Sequence, residues 1–380
     1  MDSEQANCID SLIEALGAHA HEASKLNILL GIDGFVDNLV HVVDTRENSH
    51  EYNRVNTIEG FGHRILAASG LSTNIELVAY QTKLGGNGPN MAAALQSYGA
   101  KLSYFGAIGL PGNVHPVFRE MAGKCAAVYP IAQPGQTDAL EFADGKIMLG
   151  KLSTLTDITW GSLKAAFGGA QGLADAISNA DVVGIENWTM VPHMSDIWES
   201  MITEAFPLMQ PAKQRPYLFF DLCDPQKRPP ADIAHALSLI SRFEQKFRVI
   251  LGLNHKELYE IAAALGVNTI EKDDKELSRQ VYKKLGIHTL AVHPVREAFA
   301  WCQGHYFHVT GPYCEKPVLT TGAGDNFNAG FSLGMALGLS AHQSLVLGVA
   351  TSGFYVRNGE SPSLPAVRAF LADWKKFSCV

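Results

Sequence analysis

Short apolar runs alternate with amphipathic segments along most of the chain. The apolar runs predict strands over 27–32, 102–108, 181–185, 217–221, 249–253 and 289–292. Apolar residues at helical spacing between these runs predict helices over 89–98, 115–124, 163–178, 231–247 and 275–285. Strands that are apolar at nearly every position are typical of parallel sheets buried on both faces. The pattern therefore predicts a three-layer α/β/α fold with a mostly parallel central sheet.

Two stretches of the chain interrupt this alternation. Residues 37–57 and 136–155 carry strand and turn patterns without a helix. The second stretch contains Asp144-Gly145 between two strand-like arms, which predicts a β-hairpin. We expect the two stretches to pair as a small β-sheet lid on one main domain over 26–380, which follows a helical extension over 1–25.

Composition and charge narrow the classes of partner. Of the 380 residues, 47% are hydrophobic and 18% are charged, which is enough apolar content for a sizeable core. The net charge of −8 argues against nucleic-acid binding, which normally needs a basic surface. The first 25 residues contain no apolar leader, and the six cysteines have no metal-ligand spacing. These features predict a cytoplasmic protein with reduced thiols and no membrane partner.

The most informative segment is a glycine-rich stretch near the C-terminus, 320–330, which reads TTGAGDNFNAG. Small residues before a helical pattern let backbone N–H groups approach an anion at the helix N-terminus, where the helix dipole favours negative charge. Asp325 is expected in the first turn, where its carboxylate can accept the proton of an attacking hydroxyl. The alternative is a buried helix in which Asp325 only complements the dipole.

A second glycine-rich stretch, 85–92, reads GGNGPNMA. Paired glycines permit a close approach of the backbone to a ligand, and the amide of Asn90 can both donate and accept hydrogen bonds. In this order along the chain, the two stretches resemble the N- and C-terminal signatures of the ribokinase-like (PfkB) carbohydrate kinases. The resemblance extends over about 28–370.

The resemblance implies a ribokinase-like domain that transfers a phosphoryl group in line from ATP to a sugar hydroxyl. Asp325 is the implied base, and the turn Gly322-Ala323-Gly324 is the implied anion hole. The residues implied on the sugar side approach the acceptor hydroxyls from the lid and the strand ends. They are Gly85, Gly86, Asn90 and Asp37, with Asp33 as the second choice for the strand-end carboxylate. The implied partners are a sugar and a nucleotide, and lid sheets that pair between subunits in such folds are compatible with a homodimer.

On the nucleotide side, the resemblance implies a Mg²⁺ ion that Asn254 and Glu257 hold through water, with Asn328 and Arg296 as further nucleotide-binding residues. The chain departs from the family pattern at two places. Leu319 stands where most members carry an aspartate that helps to hold a monovalent cation, so dependence on such a cation is doubtful. The segment around Arg296 lacks the glycines that usually line the nucleotide. Arg296 either supplies charge there or belongs to a surface loop that has drifted.

Three other functions remain open at this point: a nucleoside kinase, an ADP-dependent sugar kinase, and a non-catalytic sugar or nucleotide sensor. Residues 145–151 have the spacing of a P-loop, but Leu152 replaces the Ser or Thr that would meet Mg²⁺. We interpret isolated histidines such as His293, and the strand-end residues 186–188, as structural. For residues 221–228, a solvated loop and a position near the phosphates are both compatible with the sequence.

Overall fold

A computed structural model of the chain describes residues 2–19, 21–211, 214–270 and 273–377. Numbered in chain order within these residues, the strands are β1 Asn27–Ile32, β2 Phe35–Arg46, β3 Tyr52–Arg54, β4 Leu77–Gly85, β5 Lys101–Gly106, β6 Gly109–Leu110, β7 Asn113–Val114, β8 Ala127–Pro130, β9 Gly135–Phe142, β10 Gly145–Lys151, β11 Val182–Glu186, β12 Tyr217–Asp221, β13 Arg248–Leu253, β14 Thr289–Val292, β15 Glu297–Cys302 and β16 His305–Thr310.

The α-helices of the same residues separate most of these strands. They are α1 Ser3–Ala18, α2 Ile58–Ala67, α3 Asn87–Ser97, α4 Arg119–Gly123, α5 Trp160–Ala166, α6 Ala170–Ser178, α7 Met194–Ser200, α8 Pro230–Phe243, α9 His255–Ala264, α10 Asp274–Leu285, α11 Ala323–Ala336, α12 Ala341–Asn358 and α13 Leu364–Phe377. Among the described residues, every helix is too short or too polar to span a lipid bilayer.

The central sheet has nine strands in the described part of the chain, in the order β16-β15-β14-β13-β12-β11-β1-β5-β8. Neighbouring strands from β8 to β14 are parallel, and β15 and β16 are added antiparallel at one edge. The strand order reverses at β1, because β5 and β8 lie on one side of it and β11 to β14 on the other. In open α/β sheets, ligands bind beyond the carboxyl ends of the strands at such a reversal.

Side chains of the central sheet alternate between two apolar cores, one on each face. In β1, Leu29 and Ile32 pack into the first core, whereas Ile28 and Leu30 pack into the second. Helices α5 to α10 contribute to the first core, and α1, α3, α4, α11, α12 and α13 contribute to the second. A sheet buried on both faces explains why its strands are continuous apolar runs. The predicted three-layer architecture is confirmed.

A smaller sheet stands beside the carboxyl edge of the central sheet. Its order is β10-β9-β2-β3, with β4 also paired to β2, and only the β2–β9 pair among these is parallel. Phe61 of α2 packs with Val42 and Leu140 below one face of this sheet. The chain enters the sheet at Phe35, shortly after β1, and leaves it at Gly85, shortly before α3. These two connections between the sheets therefore lie next to the predicted sugar-side residues.

Several predicted elements agree with the structure to the residue. The strands expected over 27–32, 217–221 and 289–292 are β1, β12 and β14. The helix expected over 163–178 was wrong as a single element. It is divided into α5 and α6 because Gly168 and the next glycine adopt positive φ angles of 72° and 123°.

The two irregular stretches contribute strands to the smaller sheet. The hairpin predicted around Asp144-Gly145 is formed by β9 and β10, so residues 145–151 are a strand and not a phosphate-binding loop. The sequence pattern did not predict strand β4 of the smaller sheet or helix α2, which packs on that sheet. It also missed β15 and β16 at the edge of the central sheet.

Helix α1 is fixed to the central domain by apolar contacts and by one buried amide. Ile9, Leu12 and Leu16 are fully buried in the second core. Gln5, which is 4% exposed, donates from Nε2 to the carbonyl oxygen of Thr310 at 2.9 Å and accepts from the Thr310 N–H at 3.0 Å. The N-terminal helix therefore satisfies backbone groups at the end of the edge strand β16.

We predict that Gln5→Ala lowers the free energy of unfolding by about 1–2 kcal/mol, because backbone groups of Thr310 lose their partner. The midpoint of urea unfolding, measured without any ligand, checks this loss of stability. Glu4→Ala is the matched control, since Glu4 is exposed on the neighbouring position and contributes only a surface ion pair to His342. Equal midpoints for the two variants would contradict the proposed importance of the buried amide.

Candidate active site

The glycine-rich stretch 320–330 forms the start of helix α11, as its sequence predicts. Gly322 is the N-cap with φ of 88°, a left-handed conformation that favours glycine. A Cβ atom at Gly322 would also lie 2.9 Å from Oη of Tyr355. The N–H groups of Gly324 and Asp325 form no hydrogen bond to another of the described residues. This helix start therefore offers free donors to an anion.

Asp325 lies in the first turn of α11 and is 7% exposed. Its carboxylate accepts a hydrogen bond of 2.9 Å from Nδ2 of Asn90, which belongs to α3. Burial raises the pKa of Asp325 to about 8, with the charges of Asp33 and Glu257 adding to the effect and Asn90 opposing it. A carboxylate with such a pKa is a stronger base than an exposed one, and its neutral form is tolerated in the site.

Two cavities flank this helix start. The first has a volume of about 440 Å³, and Thr320, Ala323 and Gly324 form part of its wall. The second has a volume of about 340 Å³, and Thr321 and Asn326 face it. The first cavity is mostly apolar, with lining side chains from Pro294, Val295, Pro312, Tyr313, Phe327 and Val349. Most of the residues that line the second are polar, among them Asp37, Lys83, Asn90, Tyr355, Glu360 and Ser361.

Asp37 projects from β2 into the polar cavity, as expected of the preferred sugar-side carboxylate. Burial raises its pKa, and a hydrogen bond from Thr137 and the charge of Lys83 oppose the shift. Gly85 lies beside it, and a Cβ atom at Gly85 would be 2.2 Å from Oδ2 of Asp37. The absence of a side chain at Gly85 therefore leaves room for this carboxylate.

Asp33, the second choice, has a different position. It is fully buried and lies outside both cavities. Its carboxylate accepts from the N–H groups of Asn87 and Gly88 at 3.0 and 2.9 Å, and from Nδ2 of Asn187 at 2.7 Å. Asp33 thus serves as the cap of α3, which has the glycine Gly86 at its N-cap position. The structure assigns it to positioning this helix instead of facing the polar cavity.

Asn254 and Glu257 form the capping box of helix α9. The Asn254 side chain accepts from the Glu257 N–H at 3.0 Å, and the Glu257 carboxylate accepts from the Asn254 N–H at 2.8 Å. The other Glu257 oxygen accepts from the Asp224 N–H at 2.9 Å. Asn254 also lines the apolar cavity. Asn254 is therefore brought to the cavity wall, whereas Glu257 lies outside both cavities, and both side chains cap helix α9.

The remaining residues predicted on the nucleotide side lie further from the cavities. Asn328 is fully buried outside both of them and donates to the carboxylate of Asp221 at 3.0 Å. This hydrogen bond links helix α11 to the end of β12. The guanidinium of Arg296 lies 3.7 Å from the ring centre of Tyr313, which lines the apolar cavity, but Arg296 itself does not line it. Leu319 lines the polar cavity with an apolar side chain.

Several residues of the site were missed or interpreted as structural. Glu186 ends β11 and is fully buried, and neither of its carboxylate oxygens has a hydrogen-bond partner among the described residues. Burial raises its pKa well above the usual value, and the charges of Asp325 and Asp221 add to this. The position of Glu186 at a strand end was the available signal. For Lys83 and Tyr355, which line the polar cavity, the sequence offered none.

Residues 221–228 combine two roles. Asp221 is buried at the end of β12, whereas Asp224 forms exposed ion pairs with Lys227 and Lys256. Arg228 donates to backbone carbonyl groups of the loop that follows β11 and packs over Trp188. The start of this segment therefore belongs to the site, and its end is structural.

Comparison with known proteins now identifies the chain. A family model of prokaryotic ketohexokinases matches residues 1–374. A ketohexokinase from Haloferax volcanii is 30% identical over 350 residues, and the match covers 91% of each chain. The chain belongs to the prokaryotic ketohexokinase family. It is a carbohydrate kinase, a phosphotransferase with an alcohol group as acceptor, and the non-catalytic sensor is set aside.

Solved structures agree with the fold of this kinase. A nucleoside kinase from Methanocaldococcus jannaschii, an archaeal member of the ribokinase family, has a TM-score of 0.60 and 13% identity, covering 91% of this chain and 98% of its own. A ribokinase from Arabidopsis thaliana complexed with ribose and ATP has a TM-score of 0.58 and 17% identity, with coverage of 91% and 98%. The resemblance to ribokinase-like kinases is confirmed, and the family match also includes α1.

We predict that Asp325→Asn stabilises the kinase at pH 8 by on the order of 2–5 kcal/mol. Folding raises the pKa of Asp325 to about 8, above the unfolded value of about 3.9. Ionisation is therefore penalised in the folded state, and the penalty grows as the pH rises between these two values. Asparagine avoids the charge and can still accept from Asn90.

Urea unfolding at pH 4, 6 and 8 checks this prediction. The difference between the variant and the wild type should be largest at pH 8 and should vanish towards pH 4. Asp157→Asn is the matched control, because Asp157 is exposed and its substitution should leave stability unchanged at every pH. If Asp325→Asn is no more stable than the wild type at pH 8, ionisation of Asp325 does not destabilise the folded state.

Proposed function

We propose that this kinase transfers the terminal phosphoryl group of ATP to a hydroxyl of a ketohexose, with Asp325 as the base and the Gly322–Gly324 turn as the anion hole. The observation that carries the proposal is the position of Asp325. Its carboxylate is held at 2.9 Å by Asn90, which lines the polar cavity, and it directly follows Gly324, which lines the apolar cavity. The name of the Haloferax volcanii relative supports a ketohexose as acceptor, and the ribokinase complexed with ATP supports the donor.

In this mechanism, Asp325 accepts the proton of the sugar hydroxyl while the hydroxyl oxygen attacks the γ-phosphorus atom of ATP. The bond from that phosphorus to the bridging oxygen breaks, and ADP leaves. The proton remains on the carboxyl group, in the neutral form that burial favours. The N–H groups of Gly324 and Asp325, together with the dipole of α11, stabilise charge that develops on the phosphoryl oxygens. Preorganised donors of this kind typically contribute about 10²–10³ each to the rate.

The two cavities fit the two substrates differently. The apolar cavity, with Tyr313 and Phe327 in its wall, suits a nucleotide base and ribose. The polar cavity, with Asp37 and Asn90 in its wall, suits the hydroxyls of a sugar. Phe35 near Asp37 is buried and its ring fills the space beside Gly86 and Gly135, so it is not available to stack on a nucleoside base. These contacts favour a sugar over a nucleoside as acceptor.

The residues beside the nucleotide cavity fit an indirectly held Mg²⁺ ion. Among the described residues, no group of three His, Cys, Asp or Glu side chains can hold a metal by itself. Asn254 lines the cavity. Burial raises the pKa of Asp221 well above its usual value, and the charge of Glu257 adds to this shift. We propose that Asn254 and Glu257 contact the ion through water. When bound, Mg²⁺ supplies positive charge that offsets the charge of the phosphate oxygens. The apolar side chain of Leu319 offers no ligand, so no monovalent cation is included.

We further propose a cytoplasmic homodimer that uses the smaller sheet, which also acts as the lid over the sugar. Leu77 and Tyr80 on β4, and Met148 and Leu149 on β10, are 44–49% exposed. Large apolar side chains on the outer strands of a sheet are typically covered by a partner. A second copy of the chain would cover them, and light scattering after size-exclusion chromatography tests this. A monomer at micromolar concentration would contradict the homodimer.

The function is tested with a coupled assay of ADP release from ATP and Mg²⁺ over ketohexoses, aldohexoses, ribose and adenosine. We expect turnover with a ketohexose and at most weak turnover with the other acceptors. Asp325→Asn should lower kcat by about 10²–10⁴-fold, because the proton acceptor is lost. A parallel assay of AMP release with ADP as donor tests the ADP-dependent alternative.

The outcomes separate the proposed details. Turnover only with adenosine would replace the ketohexose by a nucleoside, and turnover only with ADP would replace ATP as donor. If Asp325→Asn retains the wild-type kcat, Asp325 is not the base. Thermal denaturation of the variant should show a folded protein, so that a loss of activity reports on chemistry.

Gly85→Ala tests the sugar-side geometry. A Cβ atom 2.2 Å from Oδ2 of Asp37 forces this short, buried carboxylate to move. We expect the KM for the sugar to rise by about tenfold or more, with the KM for ATP unchanged. Gly123→Ala is the matched control, because a Cβ atom there meets nothing within 4 Å. An unchanged KM for the sugar in Gly85→Ala would remove Asp37 from the binding site.

A further inference from the structure

His293 follows the last residue of β14 and lies at the carboxyl edge of the central sheet. Its N–H donates to the carbonyl oxygen of Leu253 at 3.0 Å, which continues the pairing between β13 and β14. The ring then lies against the start of α11. A Cβ atom at Gly324 would be 3.2 Å from Cε1 of His293, and the ring centre is 4.8 Å from that of Phe327. The imidazole is thus in contact with the turn that offers its N–H groups to an anion.

Among the described residues, the ring of His293 has no hydrogen-bond partner other than its own backbone. In the described part of the chain, neither ring nitrogen forms a hydrogen bond to another residue, although the imidazole lies in the wall of the apolar cavity. Burial lowers the pKa of His293 to about 4, so the ring is neutral near pH 7. A neutral imidazole still carries one N–H donor. The ring is only partly buried and lies in the wall of the cavity, so this donor is accessible to an acceptor on a bound ligand.

The cavity has little other means to bind phosphate through side chains. None of the described residues that line it is Lys or Arg, and His293 is the only lining side chain with a basic nitrogen. Glu297, the acidic residue of the lining, is paired with His308 at 2.7 Å. Arg296, the nearest arginine along the chain, is stacked on Tyr313. Phosphate recognition therefore depends on the backbone of the α11 start and on a neighbouring donor.

We propose that His293 donates a hydrogen bond to a phosphoryl oxygen of the nucleotide donor and positions it at the Gly322–Gly324 turn. The inference rests on the proposed function, because it takes the apolar cavity as the nucleotide site. His293 occupies the segment that lacks the usual glycines, so a side-chain donor takes over a contact that backbone N–H groups of a glycine-rich loop could make. The residue binds the donor and has no role in proton transfer from the sugar.

Calorimetric titration of ATP with Mg²⁺ in the absence of any acceptor tests the inference. We expect His293→Ala to weaken nucleotide binding by at least about tenfold, as for loss of a hydrogen bond to a charged group. His293→Gln, which keeps an N–H donor on a side chain of similar reach, should recover most of the affinity. In turnover assays, the KM for ATP should rise in His293→Ala while the KM for the sugar stays within about twofold.

His288→Ala is the matched control. His288 lies at the opposite end of β14, and burial also lowers its pKa to about 4, but its ring contacts Thr289 away from both cavities. This variant should lose a comparable amount of packing and bind ATP like the wild type. Equal nucleotide affinities for His293→Ala and His288→Ala would overturn the inference.

The same titration with ADP separates this inference from the proposed function. If the wild type binds ADP instead of ATP, His293→Ala must weaken ADP binding by the same factor for the inference to stand. A wild type that binds neither nucleotide overturns the inference together with the proposed donor. A third outcome is that the wild type binds nucleotide, His293→Ala binds it more weakly, and no ketohexose is turned over. This outcome supports the inference and contradicts only the proposed acceptor.

Discussion

The site depends on the meeting of two helix N-termini at the carboxyl edge of the sheet, where Asn90 of α3 donates to Asp325 of α11. Both helices begin at a glycine with positive φ, 103° at Gly86 and 88° at Gly322, and neither glycine can cap the helix with a side chain. Asp33 satisfies the first N–H groups of α3, whereas those of Gly324 and Asp325 in α11 have no partner among the described residues. This difference supports the proposed anion site on α11 and leaves α3 to position Asn90.

The topology of the sheet explains why so many carboxylates lie at this edge. Strands β1, β11 and β12 are neighbours, and Asp33, Glu186 and Asp221 follow or end them. Burial raises the pKa of each, and for Glu186 and Asp221 the charges of neighbouring carboxylates add to the shift. Such groups destabilise the folded protein near neutral pH. The two apolar cores on either face of the sheet must offset this cost, which is typical of a site that stores strain for function.

Much of the fold could be predicted because the central strands are buried on both faces. Their apolar runs stand out, and β1, β12 and β14 agree with the predicted bounds. The smaller sheet was harder, because β4 is half exposed along its length and carries no clear alternation. Its pairing with β2 depends on residues more than 30 positions apart in the chain, which a local pattern does not report.

For the site, glycine stretches with a steric requirement were predictable, and single polar residues were not. Asp37 and Asp33 follow the same strand, and only the fold shows that Asp37 enters the polar cavity while Asp33 caps α3. His293 lies in a segment that departs from the family pattern, and its proposed role rests on its contact with Gly324, which only the fold shows. Residues that act through long-range packing therefore remain outside the reach of sequence reasoning for this fold.

The two cavities are lined by different parts of the molecule, so a movement of the smaller sheet, the proposed lid, would not affect them equally. In the described chain, the apolar cavity is lined by the central domain alone, whereas Asp37, Lys83 and Leu84 of the smaller sheet form part of the polar cavity. A movement of the smaller sheet would therefore change the polar cavity and leave the lining of the apolar one intact. Since Asp325 belongs to α11, the proposed base would keep its place on this helix while the proposed acceptor side closes. In the proposed mechanism, the sheet would thus exclude water around the acceptor without disturbing the proposed phosphate contacts.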